Sequence, residues 1–351
     1  MLTKRQNLLE TIKGGNPDRF VNQYEAFMCQ PTKYGMIMVN PYVESGEQLA
    51  PGGTIKNQWG VTISWPAGVP GPFPVHDAEH KVLKDVTEWR KVVKAPNLDF
   101  PQKEWDKFKP SIEAIDRNEV FATVFNAPGI FEQTHYLMGI DSCLESFYEE
   151  PEALKELIDY ITDWQLDYAK LLYENFHPDA VFQHDDWGSH LSSFISPAMF
   201  EEFLVPAYKK LYGFWKANGI ELIVHHSDAY GANLVPAMIE IGIDIWQGPV
   251  TTNKTPELVK QYGGKISFMG DIDNGVIDRV HLVNEDGTPI DSAESKAARE
   301  VIAKEARRAV ETNGKLYYIP CCTMGGPESS FRGVYEALTE DIDKLSKEFF
   351  K

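Results

Sequence analysis

From about residue 118 onward, short apolar runs alternate with longer helical periods, and this alternation constrains the fold more than any other feature of the chain. A repeated strand-then-helix order is typical of a parallel sheet whose connections are helices. The pattern predicts seven strands, over residues 20–24, 120–125, 180–183, 221–224, 243–246, 266–269 and 316–319. We therefore expect an α/β protein built as a TIM (β/α)8 barrel, with an eighth strand somewhere before residue 118.

Residues 28–110 lack this rhythm and are rich in Pro, Gly and Trp, as in the stretch PGGTIKNQWGVTISWPAGVPGPFP. Such a composition is typical of loops and hairpins, which we expect to lie over the barrel. An open, doubly wound sheet is the competing architecture, but no Gly-x-Gly-x-x-Gly turn follows a strand. Because no linker or internal repeat divides the chain, we predict a single domain over residues 1–351.

The charge of the chain excludes several classes of partner. The formal net charge is −18, and no run of Lys and Arg interrupts it. Nucleic acids and anionic membranes both require basic patches, so the sequence predicts that neither is a partner. We expect small molecules or other proteins instead, and a homodimer is compatible with the sequence.

Composition also indicates the compartment. No stretch approaches the roughly 18 uninterrupted apolar residues of a membrane helix, and the first residues resemble no signal peptide. The four cysteines, Cys29, Cys143, Cys321 and Cys322, are few for 351 residues, and two are adjacent. They do not form the pattern of a disulfide framework. We therefore predict a soluble, cytoplasmic protein with reduced thiols.

Polar residues follow most of the predicted strands. In a barrel the carboxyl ends of the strands meet at one rim, where active sites are assembled, so we expect these side chains to converge. They are Asn126, His184, Asp185, Asp186, Trp187, His225, His226, Ser227, Asp228, Gln247, Asp271, Asp273, Cys321 and Cys322.

Each of these residues also has a structural interpretation. An Asp that comes just before a helix often caps its free N–H groups, and this applies to Asp185, Asp186, Asp228 and Asp271. His225 and His226 are neighbours on a strand, so at most one of them enters the barrel. The same alternation separates Cys321 from Cys322. The functional interpretation therefore depends on convergence and not on any single residue.

The chain resembles the uroporphyrinogen decarboxylase-like superfamily and, within it, the corrinoid-dependent methyltransferases. The resemblance covers nearly the whole chain, and its pieces occur in the expected order. They are LLETIKGGNPDR at 8–19, GIFE at 129–132, Met138-Gly139, HDDWGSH at 184–190, Ile195-Ser196-Pro197, Phe200, Pro206, HSD at 226–228, GDID at 270–273 and PCC at 320–322.

The resemblance implies a metal site. True decarboxylases of the superfamily carry an arginine-rich segment near the N-terminus, but residues 25–34 contain no arginine, which argues against porphyrinogen decarboxylation. The methyltransferases bind zinc through a His-x-Cys pair and a later Cys. His226 and Cys322 match two of these positions, and Asp228 replaces the first Cys. We thus expect zinc on His226, Asp228 and Cys322, with Cys321 as the alternative thiol.

A His, Asp and Cys site is harder and more Lewis-acidic than His with two thiolates. It suits an ether oxygen, so we expect O-demethylation of a methoxylated aromatic substrate. Asp186 or His184 would donate a proton to the leaving oxygen or orient it. Aromatic residues of the early loops, including Trp59, would either stack on the substrate or pack the loops. The expected substrate contacts are Tyr24, Asn126, Asp185, Trp187, Gln247 and Asp271.

The sequence contains no corrinoid-binding Asp-x-His-x-x-Gly motif. The resemblance therefore implies that the corrinoid (cobalamin) is carried by a separate partner protein. Three alternatives stay open. The protein could be a metal-free decarboxylase or lyase of the same superfamily, it could transfer methyl groups from the corrinoid to a thiol or other acceptor, or it could be a non-catalytic barrel that sequesters a ligand.

Overall fold

The computed structural model describes residues 1–27, 36–67, 69, 71–322 and 331–351. The strands in these residues are β1 (Met36–Ile37), β2 (Thr54–Lys56), β3 (Thr62–Ser64), β4 (Phe73–Pro74), β5 (Thr123–Asn126), β6 (Ala180–His184), β7 (Leu222–His226), β8 (Ile245–Gln247), β9 (Ser267–Ile272) and β10 (Tyr318–Cys322).

The α-helices of the same residues surround and connect these strands. They are α1 (Lys4–Lys13), α2 (Pro41–Ser45), α3 (Trp89–Val92), α4 (Gln102–Asp106), α5 (Lys109–Glu113), α6 (Ile130–Met138), α7 (Ile140–Glu149), α8 (Pro151–Phe176), α9 (Pro197–Phe203), α10 (Val205–Ala217), α11 (Val235–Glu240), α12 (Thr255–Tyr262), α13 (Asn274–Ile277), α14 (Ala293–Asn313) and α15 (Val334–Phe349). None of these helices is both long and apolar enough to cross a membrane.

A parallel sheet forms the centre of the molecule. Its strands follow the order β1, β5, β6, β7, β8, β9, β10, and each pairs in parallel with its neighbour. From β5 onward, sequential strands are spatial neighbours and the chain between them contains helices, as in a TIM barrel. The predicted α/β TIM-barrel class is thus confirmed, and β1 lies in the region where the sequence left one strand unplaced.

The predicted strand over residues 20–24 is wrong as an element, because this segment adopts turns instead of regular strand structure. The chain from Gln23 to Ala26 nevertheless makes hydrogen bonds to β10 and to the residue preceding β5. The backbone N–H of Gln23 donates to the carbonyl of Pro320 in β10 (3.2 Å), and that of Phe121, just before β5, donates to the carbonyl of Ala26 (2.8 Å). Irregular backbone therefore fills part of the position that the prediction gave to a strand.

Side-chain alternation along the strands creates two apolar layers. The inner layer contains Phe182, Val224, Ile245, Met269 and Ile319. Residues one position along the same strands, such as Val181 and Ile223, pack instead against the surrounding helices. This parity decides which polar residues at the strand ends face the barrel interior.

The irregular N-terminal region forms a small antiparallel sheet of β2, β3 and β4. It packs on the outside of the barrel, where Trp59 contacts Trp164 of α8 with ring centroids 5.2 Å apart. Tyr42 contacts the same ring at 5.1 Å. The predicted hairpin exists, and Trp59 is buried in packing against α8, at 4% exposure, instead of lining a substrate pocket.

Candidate active site

The registers of three neighbouring strands place polar side chains side by side at the rim. His184 of β6 pairs with His226 of β7, which in turn pairs with Gln247 of β8. Two residues earlier on these strands, Phe182, Val224 and Ile245 belong to the inner apolar layer. Because every second side chain of a strand points to the same face, His184, His226 and Gln247 face the barrel interior directly above that layer.

Two imidazoles and a carboxylate converge at this point. The rings of His184 and His226 stack with centroids 4.4 Å apart and planes 24° apart. Asp186 lies two residues past the end of β6 and is half-buried. One potential ligand atom from each of His184, Asp186 and His226 lies within 4.8 Å of the other two. Among the described residues, this trio is the group that could hold a metal ion.

Side-chain oxygens orient both imidazoles. Nδ1 of His184 lies 2.8 Å from Oε2 of Glu132, and Nδ1 of His226 is hydrogen-bonded to Oε1 of Gln247. Because these oxygens accept hydrogen bonds, Nδ1 is the donor in each ring. Nε2 is then the nitrogen available to a ligand, the arrangement usual for metal-binding histidines.

Glu132 reaches His184 because helix α6 begins beside Asp185. The Asp185 carboxylate accepts hydrogen bonds from the backbone N–H groups of Phe131 (3.0 Å) and Glu132 (2.7 Å) in the first turn of α6. It also accepts from Trp187 Nε1 (2.9 Å) and from the Tyr208 hydroxyl. A Cβ at Gly129 would lie 2.2 Å from Cβ of Asp185, so the close approach of the helix requires glycine.

The trio of His184, Asp186 and His226 is called the cluster below. Its electrostatics, and those of the carboxyl groups around it, follow from burial and crowding. Burial, together with the Asp186 carboxylate, raises the pKa of Asp228 to about 8. Burial also raises the pKa of Glu132. Burial opposes protonation of His184, but the Glu132 carboxylate outweighs it and raises the pKa of His184 to about 10. Burial and His184 lower the pKa of His226 to about 4. Several carboxyl groups therefore share a confined space, which favours a cation.

A scan against protein-family models matches residues 58–281 to the family described as Uroporphyrinogen decarboxylase (URO-D). The chain belongs to the uroporphyrinogen decarboxylase family. Among solved structures, a methyltransferase from Methanosarcina mazei is similar, with a TM-score of 0.58 over 98% of this chain and 99% of that chain. At 15% identity this similarity shows a shared fold. A search of curated proteins finds no match.

The zinc ligands expected from the methyltransferase branch of the family do not converge as a set. Cys322 packs on the helix side of the sheet with Ile272, Val334 and Leu338. Cys321 faces the barrel interior, in the same layer as Ile319. The inward thiol is thus Cys321, because β10 alternates in phase with Ile319. The geometry does not support Cys322 as a ligand.

Asp228, the third expected ligand, is half-buried and close to the cluster. Its backbone N–H donates to Oδ1 of Asp186 (3.1 Å). This hydrogen bond fixes the loop after β7 against the loop after β6. Asp228 is not a member of the converging trio, whereas His226 is.

The expected substrate contacts fall in different environments. Gln247 faces the cluster and holds His226. Tyr24 lies in the inner apolar layer, 2% exposed, with its ring 6.2 Å from that of Phe182. Asp185 is fully buried and accepts hydrogen bonds from the first turn of α6, which precedes it in the chain, and not from the helix after it, as the capping interpretation expected.

The remaining three expected contacts lie on the helix side of the sheet. Asn126 lies two residues after Val124 on β5, so its side chain points to the same, helix-facing side of the sheet. Its amide donates to Oε1 of Gln183 (2.9 Å). Trp187 stacks on His225 with ring centroids 3.8 Å apart. Asp271 accepts hydrogen bonds from Asn313 (2.7 Å) and Arg308 (3.1 Å) of α14. The structure does not bring these three side chains to the cluster.

Glu132 is the residue that sequence reasoning missed. It lies in the GIFE segment that carried part of the family resemblance, yet nothing in its local pattern distinguishes it from a solvent-facing helical Glu. Its role comes from a contact with His184, which is 52 residues away in the chain.

Proposed function

We propose that this protein is a zinc-dependent methyltransferase that moves a methyl group between a small substrate and a corrinoid carried by a separate protein. The observation that carries the metal part of the proposal is the convergence of His184, Asp186 and His226 within 4.8 Å, with both histidine Nδ1 atoms already hydrogen-bonded to side-chain oxygens. We propose these three residues as the zinc ligands in place of the set expected from sequence.

The donor set fits zinc. Two imidazole nitrogens and one carboxylate are a common ligand set of catalytic zinc sites, in which a fourth position stays open to substrate. The crowded carboxyl groups of Glu132, Asp186 and Asp228 favour a divalent cation at this point. When bound, zinc would supply Lewis acidity that polarises an oxygen or another leaving atom of the substrate.

The chain's own side chains would then bind the zinc ion and hold its ligands in place. His184 and Asp186, expected from sequence to transfer a proton, would instead be ligands. The hydrogen bond between Glu132 and His184 would fix one side of the site, and that between Gln247 and His226 would fix the other. The inner apolar layer beneath them would exclude water from one face of the substrate.

A series of stacked aromatic rings supports the proposal of a planar, methoxylated substrate. Phe125 is half-buried and stacks on Phe182, with centroids 5.8 Å apart and planes 26° apart. Phe182 stacks in turn on His226 at 6.2 Å and 27°. A flat methyl ether could extend this series of near-parallel rings beside the metal ligands. We therefore keep O-demethylation of a methoxylated aromatic as the proposed reaction.

The corrinoid partner is supported by two facts. The sequence lacks a corrinoid-binding motif of its own. The similar structure from Methanosarcina mazei is described as a methyltransferase and matches this chain over nearly its full length. A methyl group leaving the substrate would then need an acceptor outside this chain.

A second candidate is a metal-free decarboxylase or lyase. The matching family is described as a decarboxylase, and a buried Glu132 beside His184 could bind and protonate a substrate without an ion. In that case activity would survive exhaustive treatment with a chelator.

The experiment that tests the proposal measures metal content and methyl transfer on the same preparation. We expect about one zinc per chain and demethylation of methoxybenzenes when reduced cobalamin is supplied, with loss of both after chelation. A protein that contains no metal and retains a decarboxylase or lyase activity would contradict it.

A further inference from the structure

We infer that Glu132 is the positioning residue of the metal site: it holds a proton on Nδ1 of His184 and thereby keeps Nε2 of that ring directed at Asp186 and His226. The inference rests on the proposed function, because it assigns a role within the same site. Glu132 belongs to a segment of the family resemblance, but the resemblance gives it no role and it is not one of the converging trio.

The first support is the geometry of the contact. Oε2 of Glu132 lies 2.8 Å from Nδ1 of His184, and the Glu132 side chain is 6% exposed while that of His184 is 29% exposed. Glu132 is therefore the more deeply buried of the two side chains, and His184 is the one with access to solvent. A residue in this position can orient the ring without contacting a substrate.

The second support is that Glu132 is itself held in place. Its backbone N–H donates to Oδ1 of Asp185 (2.7 Å), and Asp185 directly follows His184 in the chain. The Tyr136 hydroxyl, one turn along α6, donates a long hydrogen bond to Oε1 of Glu132 (3.5 Å). The strand that carries His184 and the helix that carries Glu132 are thus joined at adjacent residues, which limits their relative movement.

The third support is the contrast between the two histidines. Gln247 holds His226 with a neutral amide oxygen, whereas Glu132 holds His184 with a carboxylate. A carboxylate behind an imidazole raises the basicity of the opposite nitrogen more than an amide does. We therefore expect Glu132 to contribute more to metal affinity than Gln247.

The test compares Glu132→Gln, which keeps an acceptor oxygen but no charge, with Glu132→Ala, which removes the acceptor. Glu305→Gln is the matched control, because Glu305 is a largely buried carboxylate in α14 that pairs with Arg308 away from the cluster. Zinc affinity is measured by competition with a chromophoric chelator. We expect a loss of roughly 10- to 100-fold in Glu132→Ala, a smaller loss in Glu132→Gln and none in the control.

A second measurement works without metal. Nitrogen-15 NMR of imidazole-labelled, metal-free protein reports which ring nitrogen carries the hydrogen-bonded proton, and a His184→Gln sample assigns the signal. We expect a slowly exchanging Nδ1 proton on His184 in the wild type and in Glu132→Gln, and its loss in Glu132→Ala. Denaturant unfolding of each variant confirms that it is folded.

The outcomes separate the two proposals. Folded Glu132 variants that bind zinc as tightly as the wild type would overturn the positioning role and leave the metal site intact. A wild type that binds no zinc would overturn the proposed metal site, and the NMR signal alone would then decide whether Glu132 holds the His184 proton. Absence of that signal in the wild type would overturn the inference as well.

Discussion

His184 and His226 occupy paired positions of adjacent parallel strands, and their imidazole rings stack 4.4 Å apart at the rim of the barrel. Two imidazoles this close cannot both carry a positive charge without strong repulsion. The pKa of His226 is accordingly lowered to about 4 by burial and by His184. His226 is therefore neutral at physiological pH, the form in which histidine binds a metal.

The first prediction concerns the ligand trio. His184→Ala, Asp186→Asn and His226→Ala should each weaken zinc binding by more than about 100-fold, because loss of a residue that only orients a ligand already costs up to that factor. Metal content after dialysis against a weak chelator measures this. Each variant should remain folded, since all three residues lie at the rim and not in the apolar layers.

The second prediction distinguishes the trio from the set expected from sequence. Cys322→Ser should leave zinc affinity unchanged, because this thiol packs against helices α14 and α15 on the other side of the sheet. Cys321→Ser is the matched control on the inner face. If zinc were lost in Cys322→Ser and retained in His184→Ala, the original set of His226, Asp228 and Cys322 would be correct.

The third prediction concerns Gln247, which hydrogen-bonds to Nδ1 of His226. Gln247→Leu has a similar volume but no acceptor, so it should reduce zinc affinity by about 10-fold, at the lower end for a residue that orients a metal ligand. Once saturated with zinc, the variant should have a nearly unchanged KM. A raised KM at full zinc occupancy would show instead that Gln247 contacts the substrate, as expected from sequence.

The fourth prediction concerns the stability provided by Asp185. Its buried carboxylate accepts hydrogen bonds from Phe131, Glu132, Trp187 and Tyr208. Asp185→Ala should lower the free energy of unfolding by about 3 kcal/mol, since several buried donors lose their acceptor. Asp85→Ala, at an exposed cap of a short 3-10 helix, should cost only about 1 kcal/mol. Urea unfolding of the metal-free proteins measures both, and equal losses would contradict the assigned cap.

The fifth prediction concerns pH. Burial, reinforced by His76, lowers the pKa of His135 from 6.5 to about 3, against a weak opposing effect of Asp186. His135 is thus neutral when folded and charged when unfolded in acid, so its contribution to stability is complete above about pH 6.5 and is lost as the pH falls towards 3. His135→Phe should lose less stability over this interval than the wild type does. Parallel urea curves at pH 7 and pH 4.5 measure the difference.

The strands were the most predictable part of this protein. Apolar runs of a buried parallel strand stand out because both faces are covered, and the runs at 180–183 and 221–224 correspond closely to β6 and β7. The segment at 20–24 also begins with apolar residues, yet Gln23 is joined to Pro320 of β10 only through an isolated hydrogen bond. Composition alone does not distinguish a regular strand from irregular backbone that fills the same gap.

The site was predictable as a region but not as a set of contacts. Strand-end polarity identified His184, Asp186, His226 and Gln247, which the structure brings together. Because neighbouring side chains of a strand alternate, Cys321 and Cys322 must face opposite sides of the sheet. Alternation does not say which thiol faces inward, since that depends on the register of β10 with β9. The pairing of Glu132 with His184 depends on the docking of α6, which no local pattern encodes.

The alternation of His225 and His226 has a consequence for how this protein could diverge. His225 is hydrogen-bonded to the Tyr212 hydroxyl (2.7 Å) and stacks on Trp187, on the far side of the strand from its neighbour. A deletion of one residue within β7 would exchange the two histidines and dismantle the cluster and the outer packing together. Substitutions at the loop tips disturb neither. New substrate preferences in descendants of this protein should therefore arise in the rim loops, while the lengths of the strands stay unchanged.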